Sequence, residues 1–176
     1  MNPWSSHLGP LMLAVASTKG PVVEVGAGVF STGTIVLSCG TSCNGVNRES
    51  WTFEQDIKWF KTLYVKHPSH QFVLYHDITK VIEMLRTIRP AVLLIDCDKV
   101  GPEGVGYPDR KRLIQELHNA VEVFVIHDTE DVAFHGPENL WDGFAHIWTF
   151  KPQDLPWTTL ASNSMDLESM LGKPLR

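Results

Sequence analysis

Cysteine is scarce in this chain: Cys39, Cys43 and Cys97 are its three. The count is odd and no C-x-x-C pair occurs, which excludes a disulfide-stapled scaffold and points to a reducing compartment, the cytoplasm by default. Cys39-x-x-x-Cys43 is at most half a zinc site, because no second Cys/His pair has complementary spacing. Long apolar runs are also lacking. None approaches the ~20 residues of a helical membrane span, so no membrane partner is expected. Leu8 to Ala16 closes on Ala14-Val15-Ala16 like a cleavage site, but no Lys or Arg precedes it and Gly9-Pro10 interrupts it. A helix packed on the domain, capped by Ser6 and reaching Ser17, is expected there rather than a secretory signal. Basic residues are outnumbered, 15 Lys and Arg against 20 Asp and Glu, for a formal charge of −5. That balance gives no counterion-release drive toward nucleic acid, which is not expected as a partner. The exceptions are short basic patches, at Lys58 to Lys66 and Arg110 to Arg112. Repeats, low-complexity tracts and Pro/Ser-rich linkers are absent, so residues 1–176 read as one domain.

What is present is an alternation of short β-branched runs with longer helical ones, over a length that can bury a sizeable core. Strands are expected at Pro21 to Gly26, Glu49 to Glu54, Gln71 to Asp77, Ala91 to Asp96 and Val121 to Asp128. Ala91 to Asp96 is the most hydrophobic run, hence a central strand buried on both faces. Helices are expected around Ile35 to Leu37, from Asp56 through Leu63, over Val81 to Thr87, over Pro108 to His118 and over Leu140 to Ala145. Ile147 to Phe150 and Pro156 to Leu160 read as a terminal antiparallel pair, and the residues after Met165 as a frayed tail. The fold class is α/β: a doubly wound, mostly parallel, Rossmann-like sheet of about seven strands. Trp51, Phe53, Trp59 and Phe60 read as core and helix packing rather than a base-stacking platform. Trp148 and Trp157 either pack the terminal strand pair or line an acceptor pocket.

In open α/β sheets, ligands bind outside the carboxyl ends of the strands at the switch in strand order. Here each of the first five strands ends in or beside an acid: Glu24, Glu54, Asp77, then Asp96 and Asp98, then Asp128, Glu130 and Asp131, with His127 among the last. Gly26-Ala27-Gly28 lets the backbone turn tightly and approach a ligand. Ser31 stands where a dinucleotide fingerprint has its third glycine. Glu24 places a carboxylate under the turn, which disfavours a pyrophosphate and favours a cationic ligand. Glu54 follows Gly28 by 26 residues, near the ~20-residue spacing at which an acid meets ribose hydroxyls. A tight structural turn with a surface Glu is the plainer alternative.

The run Val22-Val-Glu24-Val-Gly26-Ala27-Gly28-Val-Phe-Ser31-Thr32 resembles the first motif of class I S-adenosylmethionine (SAM)-dependent methyltransferases. The resemblance continues through Ser50 to Glu54, Trp59-Phe60, Ala91 to Asp96, Val125 to Glu130 and Pro156 to Asn163. It is strongest toward a branch marked by the His127-Asp128-Thr129-Glu130 element. It implies a SAM-binding domain in which Glu24 and the Gly26, Ala27, Gly28 and Ser31 turn meet the methionine moiety. Glu54 would take the ribose, Asp77 and Ile78 the adenine, and Asp96 would lie beside the sulfonium. His127 and Asp128 would face the acceptor. The chain departs from the pattern in the Ser-, Cys-, Gly- and Asn-rich loop Ser38 to Asn47, and few residues remain for a substrate-capping subdomain.

Methyl transfer to oxygen or nitrogen often needs a base, and His127 is the natural one because imidazole titrates nearest neutral pH. A strand-end histidine bonded to a backbone carbonyl is the alternative. Asp96, Asp128 and Glu130 could instead hold Mg²⁺, which prefers carboxylate oxygens. Like charges that close otherwise need a basic partner, for which Arg110 is the candidate. The expected function is a SAM-dependent methyltransferase acting on a small-molecule acceptor, with a non-catalytic SAM-binding module as the alternative and self-association into a homo-oligomer left open. Glu24 and Ser31 disfavour a nucleotide-binding oxidoreductase.

Overall fold

The computed structural model describes residues 5–40, 48–97, 108–130, 140–153 and 156–171. Their elements run α1 (Leu8–Ser17), β1 (Val22–Val25), α2 (Val29–Gly40), β2 (Ser50–Glu54), α3 (Ile57–Lys66), β3 (Gln71–Leu74), α4 (Ile78–Ile88), β4 (Val92–Ile95), α5 (Pro108–Leu117), β5 (Val123–His127), β6 (His146–Phe150), β7 (Thr158–Ser162) and α6 (Leu167–Leu171). The strands form one seven-stranded sheet in the order β3-β2-β1-β4-β5-β7-β6. The first five are parallel. β7 runs antiparallel to both β5 and β6. The doubly wound sheet and its terminal antiparallel pair are those expected. The order reverses between β1 and β4, so the switch point lies at their carboxyl ends.

Strand periodicity divides the core in two. Val23, Val25, Leu93, Ile95, Phe124 and Ile126 face α4 and α5, where Ile78, Val81, Ile82, Leu85, Leu113, Ile114 and Leu117 complete one cluster. Val22, Val92, Leu94, Val123 and Val125 face the other way, onto Leu11, Ala14, Val15, Ile35 and Cys39 of α1 and α2. β4 and β5 are buried at every residue, the consequence of helices covering both faces. On β1 the position that alternation aims at α2 is occupied by Glu24.

Four local expectations are corrected. Ser6 does not cap α1; the N-cap is His7, with no side-chain cap bond, and the Ser6 hydroxyl is drawn instead to His127. Residues 140–143 form a turn rather than a helix, closed by Phe144 N–H donating to Trp141 O at 3.0 Å. So short a segment, with Gly143 inside it, cannot repay helix nucleation. Residues 166–171, expected as part of a frayed tail, are ordered, and the remainder of that stretch lies outside the described residues. Asp166 accepts from Ser169 N–H, α6 follows, and fully buried Leu167 packs on the second cluster with Met170 and Leu171 beside it. Trp59 is 45% exposed, unlike buried Phe53, because α3 lies at the sheet edge and turns Leu63 inward instead. Trp148 packs with the strand pair, stacked on Phe150.

Candidate functional site

The turn after β1 is built for close approach. Gly26 has φ +92°, and a Cβ there would collide with the backbone of Asp96 and Cys97. Its freedom therefore brings β1 against the end of β4. Gly28 N–H donates to Thr32 Oγ1 at 3.3 Å, Thr32 Oγ1 donates to Glu24 Oε2 at 2.6 Å, and Thr52 Oγ1 donates to the same oxygen at 3.0 Å. Because the single Thr52 hydrogen points at Glu24, its oxygen accepts from His70 Nε2 (2.9 Å), and His70 Nδ1 is left to accept from Ser50 (3.2 Å). Burial pushes the Glu24 carboxyl up to about 7, against the hydrogen bonds from Ser31, Thr32 and Thr52 that favour its charge. Its Oε1 is buried without a partner.

The raised Glu24 pKa makes folding pH-dependent. The folded chain holds this proton more tightly than the unfolded chain, so the stabilisation is complete below the ordinary value of 4.5 and is lost as pH rises through about 7. Glu24→Gln keeps an acceptor oxygen for Thr32 and Thr52 but carries no charge. It is expected to be as stable as the parent near the ordinary carboxyl pKa and more stable above neutrality, by on the order of 3 kcal/mol. Urea unfolding of both proteins in acid and in mild base measures this; a difference independent of pH would show that Glu24 does not titrate in this range.

Glu54, at the end of β2, is buried and faces the same turn. Its Oε2 accepts from Ala27 N–H at 2.7 Å and its Oε1 from Asp56 N–H at 2.6 Å. A carboxylate has about four lone-pair sites, so two remain for a ligand. Ser31 is buried behind the turn. Asp77 is exposed and caps α4 by accepting from Thr79 N–H at 2.9 Å, with Ile78 buried next to it in the first cluster.

A second group forms where β4 and β5 end. Arg110, 2% exposed, reaches from α5 and donates to Cys97 O (2.5 Å), His127 O (2.8 Å) and Asp96 Oδ1 (3.2 Å), with Asp128 Oδ2 at 3.6 Å. It is the basic partner the acids needed. His127 Nδ1 lies 3.3 Å from Asp96 Oδ1 and 3.3 Å from Asp128 Oδ1, and its Nε2 lies 3.1 Å from Ser6 Oγ. Asp128 holds φ 57°, a left-handed backbone that Asp tolerates and most residues do not. Burial alone would raise the Asp96 carboxyl, but the His127 hydrogen bond and the charges of His127, Arg110 and His7 hold it below the ordinary range. Burial alone would lower His127, yet the Asp96 bond and the Asp96 and Asp128 charges leave it raised. Asp128 is raised, by burial first and then by its acidic neighbours.

The N-terminal turn roofs this group. His7 lies edge-on to His127, ring centroids 4.6 Å apart. It is 3% exposed, and neither ring nitrogen has a hydrogen-bond partner. Burial, then the His127 charge, lowers its pKa to about 4, so its imidazole is neutral near pH 7. Sequence reasoning missed Ser6 and His7 as members of this site, and no local signal marks them. Glu130 is turned elsewhere, accepting from Trp157 N–H at 2.7 Å. Among the described residues, one set of three metal-type donors converges, His7, Asp96 and His127. Cys43, Asp98 and Asp131 lie outside the described residues. A cavity of about 200 Å³ lies at the opposite, amino ends of β2 and β3 beside Arg48, Ser50 and His70. Its distance from the switch point separates it from the acidic strand ends, where the chemistry is.

No protein-family model matches the sequence, and no curated protein does. The structure is similar to a human methyltransferase 10 domain containing protein, at 12% identity and TM-score 0.58, over 94% of this chain and 83% of that one. It is similar to CalS11, a TDP-rhamnose 3′-O-methyltransferase of calicheamicin biosynthesis, at 14% identity and TM-score 0.60, over 90% and 79%. An rRNA methylase from Streptococcus thermophilus matches at 11% identity and TM-score 0.54, over 94% and 98%. The chain thus has the class I methyltransferase fold, as the resemblance of its glycine turn implied. None of its helices, among the described residues, is long and apolar enough to cross a membrane.

Proposed function

We propose that this protein binds SAM at the carboxyl ends of β1, β2 and β4 and transfers its methyl group to a small-molecule acceptor. The observation that carries the reading is the acidic lining of the switch point, Glu24, Glu54 and Asp96, in a methyltransferase fold. Three carboxylates suit a ligand bearing a sulfonium and an ammonium and repel a pyrophosphate. Arg110, the cation at hand, is taken up by Asp96, Asp128 and two backbone carbonyls. Glu24 Oε1, buried without a partner, suits the ammonium, and the free lone pairs of Glu54 suit the ribose hydroxyls.

In the transfer, an acceptor O–H or N–H attacks the methyl carbon. The S–CH₃ bond breaks, its electron pair stays on sulfur to give neutral S-adenosylhomocysteine (SAH), and the acceptor proton passes to the protein. Asp96 and Asp128, with about a quarter of their side-chain surface exposed, are the open edge of the second group. Asp128, whose carboxyl burial raises above its ordinary value, takes the proton, with His127 behind it. Calorimetry is expected to show SAM and SAH binding and NAD not binding, with about 2.7 kcal/mol of stabilisation at 100-fold excess over Kd. Glu54→Ala should weaken SAH by about 1–3 kcal/mol, the cost of a lost bond to a charged acceptor. NAD binding in place of SAH would overturn the assignment.

One observation favours a non-catalytic SAM-binding module instead: His127 is 2% exposed, beneath Ser6 and His7. Incubation with methyl-labelled SAM and a cell extract, separated into small-molecule and RNA fractions, discriminates the two. Label in the small-molecule fraction supports the enzyme, label in RNA reassigns the acceptor, and label in neither supports the module.

A further inference from the structure

We propose that His7, Asp96 and His127 form a binding site for one borderline divalent cation of the Zn²⁺ class, which ties the N-terminal turn to the ends of β4 and β5. The donor atoms of the three residues all lie within 4.8 Å of one another. The Asp96 Oδ1 to His127 Nδ1 separation of 3.3 Å is already the edge of a tetrahedron with ligand bonds of roughly 2.0–2.1 Å. His7 supplies an independent indication. It is 3% exposed, with both ring nitrogens unpartnered, and a buried imidazole left without any hydrogen bond costs free energy that a metal bond would recover.

Two imidazoles and one carboxylate select for Zn²⁺, Co²⁺ or Fe²⁺ over Mg²⁺, whose preference is for an all-oxygen shell. The surroundings fit the charge. Asp96 and Asp128 carry two negative charges against the single positive charge of Arg110, so a dication meets a net negative pocket. Arg110 also bonds Asp96 Oδ1 at 3.2 Å, the outer-shell support that orients a ligating carboxylate. Ser6 Oγ, on the far nitrogen of His127, does the same for the imidazole. Three protein ligands leave a fourth position for water or another donor. The site shares Asp96 and His127 with the proposed methyl-transfer centre, but cation binding by itself does not require SAM.

The test uses the untagged full chain, stripped with a chelator and titrated with Co²⁺ and with Zn²⁺. Calorimetry is expected to give one site per chain, Co²⁺ to develop the visible absorption of a low-coordinate nitrogen and oxygen shell, and Zn²⁺ to raise Tm. His7→Ala and Asp96→Asn should each weaken Co²⁺ by more than the roughly 10–100-fold that loss of an outer-shell partner costs. His7→Asn is the second variant should alanine disturb the turn, and circular dichroism confirms that each variant is folded. No binding by the folded parent overturns the proposal. So does Co²⁺ affinity that is unchanged in both His7 variants, or that is lost in Glu130→Ala instead, which would place the cation on the acidic strand ends.

Discussion

Asp128→Asn is expected to lower methyl transfer by roughly 10²–10⁴-fold while SAH affinity stays within about twofold. Asn is nearly isosteric and is one of the few residues that accept the φ of 57° held at this position. The backbone turn after β5 should therefore survive. What is lost is the carboxylate that lies 3.3 Å from His127 and 3.6 Å from Arg110 at the open edge of the group. His127→Ala should lose turnover to a similar extent if the imidazole shares the acceptor proton. The readout is label transfer from SAM under single-turnover conditions, with SAH affinity measured beside it. Unchanged turnover in Asp128→Asn removes this residue from the chemistry. Loss of folding in His127→Ala would make the histidine a structural member of the buried group.

Arg110→Met is expected to cost about 3–5 kcal/mol of stability, the usual penalty for stranding a buried charge by deleting its partner. For a domain of this size that lowers Tm by on the order of 10 °C. The reason lies in how many groups one guanidinium serves. Without it, Cys97 O and His127 O each lose a donor, and Asp96 faces Asp128 without the guanidinium between them. Adding Asp128→Asn should recover part of the loss by removing one of the two like charges. Chemical denaturation of the parent, the single variants and the double variant closes a cycle that isolates the coupling. A loss under about 1 kcal/mol for Arg110→Met would rank the cluster with surface ion pairs.

Much of this molecule was legible before its tertiary structure. Alternating runs such as Pro21 to Gly26 and Ala91 to Asp96 set out an α/β sheet, because strand and helix periods are local properties of the chain. The acids at the strand ends could be placed for the same reason, and Arg110 could be named as their partner. Local signals also misled where the partner is distant. Ser6 has the chemistry of an N-cap, yet its hydroxyl bonds His127 across 121 residues of chain. Leu167 follows a polar stretch that reads as a tail, yet it is fully buried because the sheet presents an apolar face to it.

The sequence by itself determined the alternation of elements, the parallel core and the acidic rim, all of which depend on residue type and spacing within one segment. Only the tertiary structure decided that Glu24 turns its carboxylate inward to Thr32 and Thr52, that Glu130 turns away to Trp157, and that His7 closes over His127 and Asp96. Apart from the Glu24–Thr32 bond, which spans eight residues, each of these is a contact between segments far apart in the chain, and its geometry follows from how the whole core packs rather than from any local preference.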